Sequence, residues 1–133
     1  MSAEKATYVD CSALVKLAVN EAESEVLRRS LRRRRPLVSS ALARTEVSRA
    51  LLPLGEEAVR RGQDVLAAVE LIRINDRILS AAGSMLPIDL RSLDAIHLAT
   101  AQQLDADLSR IVTYDERMRS VADELGFTVW APA

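Results

Sequence analysis

Four acidic residues sit where chemistry could be done. Asp10 closes the β-rich run "ATYVD" and Asp115 closes a second, "SRIVTYD". Glu46 lies on "ALARTEVSRALL", at the edge of the face made by Ala43, Val47, Ala50 and Leu51, and Asp94 opens "SLDAIHLATA", a stretch apolar almost all the way round. Taken singly, each has a plain structural explanation. Asp is a favoured helix cap and turn former after a strand, a flanking Glu can pair with Arg44 or Arg49, and the helix dipole stabilises a first-turn carboxylate by typically ~0.3–1 kcal/mol. Taken together they demand more. Two like charges about 4 Å apart repel by roughly 4 kcal/mol at an effective dielectric of 20, so a converging set needs a compensating charge. Oxygen-only ligands suit Mg²⁺ or Mn²⁺, and Mg²⁺ keeps several waters while touching one or two carboxylates and a substrate phosphate. The chemistry expected of such a pocket is that of phosphate esters.

Convergence depends on the elements that carry these residues. "ATYVD" reads as a strand, followed by a helix over "ALVKLAV" with Ser12 as its cap, and then a second helix from Glu23 to Arg33 that Pro36 closes. "LVSS" is a second strand, with Ser40 capping a helix from Ala41 to Leu52; Pro53 and Gly55 break the pattern before a longer helix from Glu56 to Leu71. "IRIN" is a third short strand, "DRILSAAGSM" another helix, and Ser92 caps the apolar helix that holds Asp94. "SRIVTYD" is the clearest strand; an amphipathic helix from Glu116 to Leu125, stopped by Gly126, leads to a last strand, "FTVW". Strands alternating with helices indicate an α/β fold, a parallel sheet covered on both faces. Ligands then bind beyond the carboxyl ends of the strands, where chain order reverses. Asp10 and Asp115 both leave from that edge.

Composition narrows the classes. The 133 residues, 49% hydrophobic and 28% charged, match a soluble globular protein, expected as one domain spanning residues 1–133. No run is long enough to span a bilayer, and "MSAEKATYVD" lacks the basic start and apolar middle of a signal peptide, so a cytoplasmic location is expected. Cys11 has no second thiol to pair with, and one His beside it does not make a structural zinc site. The same count excludes a ribonuclease built on a histidine pair; His97 reads as a partly buried helix residue rather than a ligand. The four glycines are too scattered for a dinucleotide turn or a phosphate-binding loop. Arg28, Arg29 and Arg32 to Arg35 crowd together despite a net charge of −1, either as a solvated helix face or as a phosphate-facing patch.

The motifs "YVDCSALVKL", "TEVSRAL", "RSLDAIHLATA" and "VTYDERM", in that order and followed by "ADELGFTVWAP", resemble the PIN-domain ribonucleases, in particular the VapC toxins of bacterial toxin–antitoxin pairs. The likeness covers essentially the whole chain. It implies a three-layer α/β/α sandwich around a parallel sheet of about five strands. It also implies Mg²⁺- or Mn²⁺-dependent endoribonuclease activity, commonly on tRNA or ribosomal RNA, a homodimer, and neutralisation by a cognate VapB-type antitoxin. Carried over motif by motif, the acidic positions of the family are Asp10, Glu46, Asp94 and Asp115, with Ser12 and Thr113 as supporting polar positions. Many relatives carry a further acidic or amide residue shortly after the fourth motif; here the nearest is Glu116.

The implied mechanism has Asp10, Asp94 and Asp115 holding the cation, directly or through water, while Glu46 orients or deprotonates the attacking water, giving a 5′-phosphate and a 3′-hydroxyl. Phosphate contacts are expected from Arg28 to Arg35 or from Arg91, Arg117 and Arg119. With Tyr8, Tyr114, Phe127 and Trp130 as the aromatics, recognition of RNA shape fits better than base stacking. Two other classes meet the same features. A PIN fold could serve as a non-catalytic binding module. A phosphorelay receiver domain also gathers acids around Mg²⁺, but it needs a Lys near the end of its fifth strand, and no lysine follows Lys16.

Overall fold

The computed structural model describes residues 5–133; the first four, part of the stretch read above for a leader, lie outside the described residues. Short runs rich in β-branched and aromatic residues form the strands β1 (Ala6–Val9), β2 (Leu37–Ser40), β3 (Glu70–Ile72), β4 (Leu108–Val112) and β5 (Val129–Trp130). Between them lie α1 (Cys11–Ala18), α2 (Ser24–Leu31), α3 (Ala43–Leu51), α4 (Glu56–Ala67), α5 (Asp76–Gly83), α6 (Ser92–Leu104) and α7 (Glu116–Glu124). The five strands pair in the order β3-β2-β1-β4-β5, and every pairing is parallel.

A parallel sheet must be covered on both faces, because each of its strands is buried on both. Period-2 alternation divides the side chains accordingly. Val9, Leu37 and Val112 face one core with Leu14, Leu27, Val47 and Leu51 from α1, α2 and α3. Tyr8, Val38 and Ile111 face the other, with Leu98 of α6 and Met118 and Val121 of α7. This is the α/β/α sandwich expected. On the first face Gly62 lets α4 close on α3: a Cβ there would stand 2.5 Å from Leu51 Cδ1 and 3.2 Å from Val47 Cγ1.

Local boundaries differ from expectation in instructive ways. The third strand is Glu70–Ile72, not "IRIN": α4 stops at Ala67, and Glu70, Leu71 and Ile72 pair with Val38, Ser39 and Ser40. Asn75 instead caps α5, accepting from the Ile78 amide at 2.9 Å. The apolar run through Leu71 satisfies a helix period and a strand period alike, and pairing with β2 decides. All three expected serine caps are also displaced. Ser40 accepts from the Leu42 amide at 3.1 Å in the turn before α3, whose N-cap is Leu42 with no side-chain cap. Asp10, not Ser12, caps α1, and α6 starts after Arg91 with no side-chain cap, so Ser92 is its first residue. The second helix spans Ser24–Leu31 and the third Ala43–Leu51, each shorter than its apolar pattern.

Candidate active site

From β1 the chain steps outward through β2 to β3, then returns to lay β4 and β5 on the other side of β1. Connections after β1 and β4 therefore leave in opposite directions, and a crevice opens between them at the carboxyl edge. A cavity of about 630 Å³ lies there, lined by Asp10, Glu46, Asp94 and Asp115 together with Arg91 and His97. Residues from β1, α3, α6 and the end of β4 thus meet, although they span over a hundred positions of sequence.

Asp10 follows the last residue of β1 and is 4% exposed. Its Oδ1 accepts from the Ala13 amide at 3.1 Å, capping α1, and from Ser12 Oγ at 2.6 Å; its Oδ2 accepts from Thr113 Oγ1 at 2.6 Å. The two hydroxyls also tie the neighbouring strand end. Tyr114 N donates to Ser12 Oγ at 2.9 Å and Asp115 N to Thr113 Oγ1 at 3.1 Å. Ser12 and Thr113 therefore stitch the ends of β1 and β4 through one carboxylate. Burial nonetheless holds the Asp10 pKa above its ordinary value, against the pull of the Ser12, Thr113 and Ala13 hydrogen bonds. Beside it, burial pushes the Cys11 thiol up to about 12, with the charges of Glu46 and Asp10 adding.

Asp94 and Asp115 share a cation within the chain. Arg91 Nε donates to Asp94 Oδ2 at 2.9 Å and its Nη2 to Asp115 Oδ2 at 2.7 Å. Asp115 Oδ1 caps α7, accepting from the amides of Arg117 and Met118. Arg91, expected on an outer phosphate-binding rim, is thus the bridge between two of the four carboxylates. Its sequence position, three residues before Asp94, is a legible i,i+3 signal. Its second partner, 24 positions away, is not.

Glu46 does not pair with Arg44 or Arg49. Its Oε1 lies 2.5 Å from His97 Nε2, and His97 Nδ1 lies 2.6 Å from the Tyr8 hydroxyl. His97 is 2% exposed, more enclosed than its sequence context suggests. Burial raises the Tyr8 phenol far above its ordinary pKa, so it stays protonated. This hydrogen-bonded line from β1 through α6 to α3 is the feature sequence reasoning missed.

Glu116 and the arginine cluster lie elsewhere. Glu116, the first residue of α7, lines a separate depression with Arg119, Ser120 and Asp123. Arg28 donates to the Leu17 carbonyl, Arg29 pairs with Glu25, and Arg34 stacks 4.5 Å from the Trp130 ring centre. Arg32, Arg33 and Arg35 are exposed. None of the six lines the carboxylate cavity.

The donor set is all oxygen, the chemistry of a hard cation. Among the described residues no three His, Cys, Asp or Glu side chains are grouped tightly enough to hold one ion between them. Four carboxylates around one cavity fit an ion that reaches part of its ligands through water, as Mg²⁺ habitually does.

The PIN domain family model matches residues 7–124. The chain belongs to the PIN-domain family. Relatives extend the likeness along the PIN domain: the chain is 59% identical over 128 residues to Ribonuclease VapC46 of Mycobacterium tuberculosis, covering 96% of this chain and 98% of that one. It is 42% identical over 129 residues to Ribonuclease VapC35 of the same species, covering 94% and 96%. Among solved structures, VapC20 of M. tuberculosis, a sarcin–ricin loop cleaving toxin, superposes with a TM-score of 0.75 at 16% identity, over 95% of this chain and 99% of that one. A toxin–antitoxin complex from Klebsiella pneumoniae gives 0.70 at 22% identity, over 96% and 98%. At those identities the likeness is one of PIN fold.

Proposed function

We propose that this PIN domain, acting as one unit over residues 1–133, is a metal-dependent endoribonuclease of VapC type that hydrolyses phosphodiester bonds in tRNA or ribosomal RNA. The observation that carries the reading is the cavity at the switch point of the sheet, walled by Asp10, Glu46, Asp94 and Asp115. The 59% identity to a protein named Ribonuclease VapC46 supports the same reading. Asp10, Asp94 and Asp115 are the residues proposed to hold Mg²⁺ or Mn²⁺, directly or through water, with Glu46, which lines the same cavity, contributing through water. When bound, the cation supplies hydroxide near neutral pH and offsets charge on the phosphodiester. Ser12 and Thr113 fix the Asp10 carboxylate, and Glu46 orients the attacking water or takes its proton. Arg91, which lines the same cavity, is proposed to meet the scissile phosphate once its guanidinium turns from Asp94 and Asp115. Products are a 5′-phosphate and a 3′-hydroxyl.

A cognate VapB-type antitoxin is the partner proposed, in keeping with the toxin–antitoxin complex whose fold this chain shares. A homodimer and a cytoplasmic location are proposed with it; among the described residues no helix is long and apolar enough to cross a membrane. The test is direct. The purified chain is incubated with total RNA in Mg²⁺, Mn²⁺ or EDTA, and the cut ends are mapped. Cleavage with either cation, abolished by EDTA and by Asp10→Asn or Asp94→Asn in folded protein, is the expected result. A folded wild-type chain that cuts nothing with either cation favours a non-catalytic PIN-fold binding module.

A further inference from the structure

Among the four carboxylates only Glu46 is held by an imidazole, and nothing in the proposed chemistry yet uses that ring. An ionised carboxylate only accepts hydrogen bonds, so His97 Nε2 carries the proton in the 2.5 Å contact with Glu46 Oε1. In a neutral ring Nδ1 is then the acceptor, and the fully buried Tyr8 hydroxyl, 2.6 Å away, donates to it. The Tyr8 and His97 rings also meet edge to face, with centroids 5.8 Å apart and planes at 83°. Two directional bonds and a ring contact leave the imidazole one orientation. Both rings come from the interior: Tyr8 from the central strand β1, and His97 from the buried face of α6.

We propose that His97, itself oriented by Tyr8, is a positioning residue that fixes the Glu46 carboxylate for its work on the attacking water. The inference rests on the nuclease reading and deepens it. Glu46 sits on α3, a helix whose buried residues pack with α1 and α4 on the far side of the sheet from α6. Without His97 its long side chain has no polar partner among the described residues, and it would sample several rotamers. The bond engages Oε1 and leaves Oε2 for a water in the cavity. A purely structural role explains this line less well. Replacing a buried His–carboxylate pair by apolar residues of similar volume is often neutral or stabilising, so the pair is not required to fill the space.

The experiment compares wild type, Tyr8→Phe, His97→Gln, His97→Leu, Glu46→Gln and Glu46→Gln/His97→Leu. Each is checked for folding by thermal melting and assayed at saturating Mn²⁺ on a quenched fluorescent RNA of mixed sequence. Loss of an outer-shell partner typically costs ~10–100-fold in activity. The expected result is a fall of that size in kcat for His97→Leu with KM nearly unchanged, a smaller fall for Tyr8→Phe, and partial recovery in His97→Gln, which keeps a donor. In the Glu46→Gln background His97→Leu should cost nothing further. Wild-type kcat in folded His97→Leu and Tyr8→Phe overturns the proposal, as does an equal fall with or without the Glu46 carboxylate. Failure of the wild-type chain to cut the RNA overturns the nuclease reading itself, and this inference with it.

Discussion

Replacing Asp10 by Asn should make the metal-free protein more stable while removing its proposed activity. The ionised carboxylate is 4% exposed and receives three hydrogen bonds, from Ser12, Thr113 and Ala13. Burying a charge costs several kcal/mol. Hydrogen bonds to a charged group exceed neutral ones by about 0.5–1.5 kcal/mol each, so the three return only part of that cost. The raised pKa of Asp10 has the same sign: burial outweighs its partners. Asn keeps the shape and an oxygen for the Ala13 amide, and it carries no charge, so a gain of about 1–2 kcal/mol is expected. For a chain of this length that is roughly 3–8 °C in Tm.

The pH dependence follows with a definite sign. The unfolded carboxyl titrates near its ordinary value of about 3.9, and the folded one above it. The stability that protonated Asp10 contributes is fully present below the unfolded pKa and is lost as pH rises through the folded pKa. The gap between variant and wild type should therefore be small near pH 4 and widen as pH rises toward neutral. Thermal melts followed by circular dichroism, in EDTA at both pH values, measure it. Added Mn²⁺ should then raise the wild-type Tm, by about 2.7 kcal/mol of stability at a hundred times Kd, and leave the variant nearly unmoved. A wild-type protein that melts at or above the variant in EDTA at neutral pH would refute the claim that Asp10 is held at a cost in stability.

Three further outcomes test the surroundings. Gly62→Val should destabilise by about 1–3 kcal/mol through overpacking, because its Cβ stands 2.5 Å from the fully buried Leu51; an unchanged urea midpoint would mean that α3 and α4 separate freely. Cys11, its thiol at about 12, should react with iodoacetamide at pH 8 in EDTA on the order of 10³-fold slower than in urea, where its pKa returns to about 8.5; the rate is read by mass spectrometry. Arg91→Gln should lower the EDTA Tm slightly at low salt and less at 0.5 M salt, judged by paired melts, since this bridge between Asp94 and Asp115 is solvent-exposed.

Sequence alone determined what is local. The alternation in "TYVD" and "IVTYD" specified two strands and put Asp10 and Asp115 at the same edge, because a parallel sheet aims all its carboxyl ends one way. The all-round apolar character of "LDAIHLATA" specified a buried helix. Where two local signals competed, sequence decided less well: Ser12 looked like a cap, yet Asp10 takes that place and frees the Ser12 hydroxyl to join two strand ends. Tertiary structure decided the partnerships. His97 reaches Tyr8 across 89 positions and Glu46 across 51, and Arg91 reaches Asp115 across 24. Such contacts arise only once the helices have docked on the sheet, α6 and α7 on one face and α3 on the other. Periodicity reports which face of an element is buried, and it carries no information about which side chain of another element will stand opposite.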